Sequence, residues 1–129
     1  MGTQTTDSMT KGMQALVAME TNAARLSEVA VQLLTAHAAG LPELLAVRAE
    51  ATQDRPHLAL QPKTPDDARL WARALGMDVK VTVEDGGEDQ LLERAAVEFT
   101  VDGVLVRLAA CRWYSADQWA ERIAEAVAA

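Results

Sequence analysis

The sequence predicts an α+β fold. It should hold an antiparallel sheet of about five strands with helices on one face and a long N-terminal helix, in the order α-ββ-α-βββ-α. Three observations carry this reading. Residues 97–101 and 104–108 alternate on either side of Asp102-Gly103. Asp-Gly between alternating runs is the strongest short-range hairpin signal, because a type I′ turn needs φ > 0 at both central residues. The second observation is a proline-free stretch from Lys11 to Ala39, rich in Ala, Leu, Met and Glu, which favours a helix. The third is the switch between these two periods along the rest of the chain.

Residues 1–11 are mostly Thr, Gln, Ser, Asp and Gly with little to bury, and are expected to form a disordered tail. Residues 12–40 form the long helix, and 41–129 the α+β domain. Within the helix, Leu16, Met19, Ala23, Leu26, Ala30, Leu33 and His37 recur at alternating spacings of three and four. Such a seam of small and large residues suits close helix–helix packing. It packs either on the protein's own sheet or on a second copy. Val17, Val29, Val31 and Leu34 widen the apolar surface, which suggests own core on one side and a partner on the other. Gly40 and Pro42 end the helix.

Residues 44–52 suit a short helix by propensity but alternate as a strand does, with Val47, Ala49 and Ala51 against Arg48, Glu50 and Thr52. A turn at Gln53–Pro56 and renewed alternation from His57 favour a first hairpin. Thr64-Pro65-Asp66-Asp67 opens a second helix, with Thr as N-cap and Pro at its first position. Val79, Val81 and Val83 alternate with polar residues as a strand with one wet face. Glu84–Gln90 reads as an acidic loop, and Leu91–Ala95 as one further helical turn. In the 97–108 hairpin the two-residue turn dictates register. Val101 should face Val104, Phe99 should face Val106 and Val97 should face Leu108, with Glu98 opposite Arg107 on the other side. The last helix carries a capping box, Ser115 with Gln118, and Tyr114 placed to pack on Trp119.

Composition narrows the function. The chain has 129 residues, half of them hydrophobic, with a net charge of −7. That bounds one domain, and the charge argues against direct binding to a phosphate backbone. Cys111 is the single cysteine, so no intrachain disulfide forms and a reducing, cytoplasmic setting is expected. No signal-peptide core or membrane-length apolar run is visible. Abundant Ala and a preference for Arg over Lys fit a GC-rich bacterial genome.

Phosphate loops, dinucleotide glycine patterns, His-Glu-x-x-His, paired Cys spacings and a nucleophile elbow are all missing from the sequence. The acidic run 84–89 lacks the ligand spacing of a calcium loop. His37 and His57 are the only histidines, and neither has sequence neighbours that make a metal or acid–base site. No cofactor or metal is expected. Arg112-Trp113-Tyr114 is the one aromatic-basic cluster, and Arg112 and Trp113 are candidates for a partner interface. The polar sheet face, with Arg48, Glu50, Lys80, Thr82, Glu84, Glu98, Thr100, Leu105 and Arg107, is expected to lack the exposed aromatics that bind single strands.

These readings point to a non-enzymatic protein–protein interaction module, such as an adaptor, chaperone, inhibitor or immunity-type protein. It should act as a cytoplasmic homodimer through Leu16, Met19, Ala23, Leu26, Ala30 and Leu33. One alternative is a nucleic-acid-related regulator, either a dimeric DNA binder or an acidic DNA mimic grouping Glu84, Asp85, Glu88, Asp89 and Glu93. A second is a small enzyme using isolated carboxylates and His57. Element order and acidity are similar, at the level of fold alone, to small dimeric chaperones of bacterial secretion systems, whose strands are distributed differently around the middle helix.

Overall fold

The computed structural model describes the backbone of residues 2–37 and 39–128 and the side chains of 10–36 and 39–128. The His37 side chain, which the seam would include, lies outside the described residues. Eight elements follow one another: α1 (Gly2–His37), β1 (Leu44–Ala51), β2 (Pro56–Pro62), α2 (Pro65–Ala74), β3 (Lys80–Gly87), β4 (Gln90–Val101), β5 (Val104–Ser115) and α3 (Ala116–Ala128). This is an α+β fold in the expected order.

The sheet departs from expectation in one respect. Its strand order is β1-β2-β5-β4-β3, and β2 pairs with β5 in parallel, so the sheet is mixed rather than antiparallel. Hairpin signals report only strands adjacent in sequence. The β2–β5 pair is made by a crossover through α2, and a parallel pair requires such a connection. Burial drives it. Leu58 and Leu60 of β2 stand beside Val106 and Leu108 of β5, and all four are at most 1% exposed.

The central hairpin has the register the turn dictates: Val101 opposite Val104, Phe99 opposite Val106, Val97 opposite Leu108 and Glu98 opposite Arg107. Asp102 and Gly103 take φ of 48° and 80°, as a type I′ turn demands. A second hairpin turn of the same kind replaces the expected acidic loop. Glu88 and Asp89 have φ of 49° and 61°, and β3 and β4 pair on either side of them. Leu91–Ala95 is therefore part of a twelve-residue strand and not a helical turn. Pairing to both neighbours overrides the helical propensity of Leu-Leu-Glu-Arg-Ala.

Helices cover one face. Leu26, Val29 and Leu33 of α1 and Trp71 and Ala72 of α2 join Leu58, Leu60, Val104, Val106 and Leu108 in the core. Thr64 Oγ1 accepts from Asp67 N at 3.1 Å, and Pro65 follows at the first helical position. Trp71 Nε1 donates to the Pro42 carbonyl at 2.8 Å, tying α2 to the segment that enters β1. The opposite face, carrying Arg48, His57, Ala59, Lys80, Arg94, Arg107 and Cys111, has no helix on it among the described residues.

α3 is capped as the sequence predicts. Ser115 N donates to Gln118 Oε1 at 3.0 Å and Gln118 N donates to Ser115 Oγ at 3.2 Å. The Tyr114 and Trp119 rings meet edge to face at 5.3 Å. Ser115→Ala should cost about 1 kcal/mol through loss of the cap. Chemical denaturation measures it, and an unchanged midpoint with α3 intact would mean that the box contributes nothing.

Candidate interaction site

The core contacts that join α1 to the domain come, among the described residues, from its second half. Leu26 and Leu33 are 6% exposed and Val29 is 1% exposed. Asn22 Nδ2 donates to the Thr52 carbonyl at 2.6 Å. The Arg25 guanidinium lies over Gly103, which has no side chain to obstruct it. Ahead of Asn22 the helix continues for about twenty residues, roughly 30 Å at 1.5 Å per residue. This stretch includes residues 2–11, whose composition suggests a tail. A helix already nucleated extends cheaply where no proline or cap stops it.

The expected seam therefore divides. Leu26 and Leu33 belong to the protein's own core, with Ala30 packed beside them. Leu16 and Met19 are 61% and 41% exposed, and Ala23 is exposed as well. A further stripe appears that the seam does not contain. At about 100° per residue, Met13, Val17 and Val31 fall on the side of α1 opposite Leu26, Val29 and Leu33. They are 65%, 60% and 62% exposed. Val17 and Val31 are among the residues that widen the apolar surface in the sequence; only packing decides which side each faces.

Arg112 and Trp113 are not brought together. β5 runs on to Ser115, so strand alternation sends neighbours to opposite faces. Arg112 lies on the helix side, opposite Glu93, with its guanidinium 5.1 Å from the Tyr114 ring centre. Trp113 lies on the uncovered side, 55% exposed, with its ring over Gly86. A Cβ at Gly86 would come within 2.3 Å of that ring. Gly86 is the extra residue where the β3–β4 register shifts. The uncovered face thus does carry an exposed aromatic, with Arg94 on the same side, contrary to expectation. The cluster itself carries no signal that β5 continues through it, because pairing with β4 as far as Gln90 sets the length of the strand.

The carboxylates that a DNA mimic would group are also divided. Glu84 sits on the uncovered face, 3.7 Å from Arg94. Glu93 is buried, 1% exposed, between the sheet and α3. There it accepts from Arg122 at 2.7 and 2.9 Å and from Arg69 at 3.0 Å. Arg122 also donates twice to Asp66, at 2.9 and 3.0 Å. Burial alone would push the Glu93 carboxyl up, but hydrogen bonds and charge from Arg122 and Arg69 outweigh it and hold the group below its usual range. The hydrogen bond from Arg122 does the same for Asp66. This cluster fastens α3 to α2 and β4, since no described residue of α3 is buried. Sequence spacing carries no signal for it, because its members come from three separate elements.

His57 is exposed at the start of β2, opposite Glu50. Among the described residues no group of three His, Cys, Asp or Glu side chains converges as metal ligands would, and no helix is long and apolar enough to cross a membrane. Comparison with protein-family models, with curated proteins and with solved structures returns no match. The functional reading therefore rests on geometry.

Proposed function

We propose that this chain is a protein–protein interaction module that works as a homodimer, joined through the half of α1 that runs ahead of Asn22. The observation that carries the proposal is the exposure of Met13, Leu16, Val17 and Met19 on a helix whose core residues among those described, Leu26, Val29 and Leu33, lie further along. Most helical stability in proteins comes from packing an apolar face rather than from propensity. A second copy supplies that packing. It presents the same stripe, so a two-fold arrangement is self-complementary. Gly12 and Ala23, on the side of Leu16, are small enough to let two such helices approach closely. The same surface, or the dimer it builds, then serves as the platform for an adaptor, chaperone, inhibitor or immunity-type role.

The test must avoid Leu26, which is part of the domain's own core, so that a charge there unfolds the chain whatever its assembly. Leu16→Glu combined with Val17→Glu places charge only on the projecting stripe. Light scattering should give a dimeric mass for the wild type and a monomeric mass for the double variant. The melting midpoint of the domain should stay close to that of the wild type at low concentration. A monomeric wild type at the highest concentration it tolerates would refute the reading.

A further inference from the structure

The uncovered face of the sheet holds a shallow trough of about 440 Å³, into which Arg48, Arg94 and Arg107 project around a floor that includes Ala59, Ala109 and Cys111. Its position follows from strand pairing. Arg48 is opposite Ala59, Ala59 is beside Arg107, and Cys111 is opposite Arg94. Neighbouring strands lie about 4.8 Å apart, so Arg48 and Arg107 flank Ala59 about 10 Å from each other. The alanines keep the floor low.

The charge here is segregated. In a chain of net charge −7, this trough is lined by three guanidinium groups and no carboxylate. Glu98 and Glu84 reach Arg107 and Arg94 from outside it, at 3.8 and 3.7 Å. Those are loose contacts that leave most of each guanidinium's donors unused. Arg48 has no ion pair among the described residues. A guanidinium presents a planar fork of donors that matches carboxylate and phosphate oxygens. The volume falls within the range of small-molecule pockets, about 300–1,000 Å³.

We propose that this trough binds a small organic anion, its carboxylate or phosphate head between Arg48 and Arg107 and its body over Ala59, Ala109 and Cys111 toward Arg94. The site is separate from α1 and is independent of the dimer reading.

Cys111 is exposed and is the chain's single cysteine, so it reports on this trough without labelling elsewhere. Alkylation by anionic iodoacetate is compared with alkylation by neutral iodoacetamide, each rate referred to the same protein unfolded in urea. A net-negative protein without the trough would repel iodoacetate. The proposal expects the folded chain to favour iodoacetate several-fold relative to the unfolded reference. Arg48→Gln with Arg107→Gln, both on exposed positions, should clearly reduce that preference, with Arg94 opposite Cys111 retaining the remainder. Citrate and glycerol 3-phosphate are then added as competing probes, with glycerol as the neutral control. At least one should slow the iodoacetate reaction in a saturable way, and the one acting at lower concentration identifies the preferred head group. A rate ratio equal to or below the unfolded reference, a ratio unchanged by the double substitution, or saturable protection by neither anion would overturn the proposal.

Discussion

Trp71→Ala should destabilise the protein by about 4 kcal/mol, within the usual cost of truncating a buried tryptophan. Trp71 is 2% exposed and sits at the centre of the contact between α2 and the sheet. Truncation removes apolar surface that cannot be refilled by neighbours on rigid strands, so a cavity remains. It also removes the hydrogen bond from Nε1 to the Pro42 carbonyl, leaving that acceptor dependent on water. Leu70, next in the chain and 46% exposed, is the control. Leu70→Ala should cost less than about 1 kcal/mol, as surface substitutions generally do. Urea denaturation of both variants measures the difference, and equal midpoints would place the α2 contact elsewhere.

Glu93→Gln should cost about 3 kcal/mol at neutral pH, because removing one partner of a buried ion pair leaves the other charge poorly compensated. Arg122 and Arg69 both lose their buried counter-charge, and beyond that cluster α3 is held by the Tyr114–Trp119 contact and its cap but by no buried side chain. The substitution should also change the acid sensitivity of the fold. Both Glu93 and Asp66 have carboxyls held below their ordinary values in the folded state. The unfolded chain therefore binds protons first as pH falls. The stability these groups contribute is complete above the ordinary carboxylate range, about pH 4, and is lost as pH falls through the lower folded-state values. Asp66 has a side chain 61% exposed, so solvent screens it and its share is the smaller. Glu93→Gln should consequently melt with a shallower decline below about pH 4 than the wild type. Parallel pH profiles for the two proteins would show that the buried carboxylate is not the group responsible.

The two predictions concern features of different legibility. Behind the Thr-Pro cap, Ala68, Trp71, Ala72 and Leu75 recur three and four residues apart, the spacing of one buried helix face, so the place of Trp71 in the core is a local property of the sequence. The place of Glu93 is not, since a buried glutamate looks like any solvated acid until Arg69 and Arg122 are known to converge on it. The α1 seam shows the same division within one element. Its periodicity announced a long apolar helix and even a surface wide enough for two contacts. It could not say that Leu26 and Leu33 would be covered by the domain while Leu16 and Met19 would not. That depends on where the sheet ends, which is a property of the assembled molecule.

Local chemistry in the sequence determined each interaction that spans a few residues. The Asp102-Gly103 turn with its register, the Thr64 cap, the Ser115–Gln118 box and the Tyr114–Trp119 contact all arise from backbone dihedral preference and side chains within reach of one another. Tertiary structure alone decided the parallel β2–β5 pairing, the conversion of the acidic run into a hairpin turn, the separation of Arg112 from Trp113 and the gathering of Arg48, Arg94 and Arg107 on one uncovered face. Each of those depends on which distant strands burial brings together, and a periodic pattern specifies which side of a strand is apolar without specifying its neighbour.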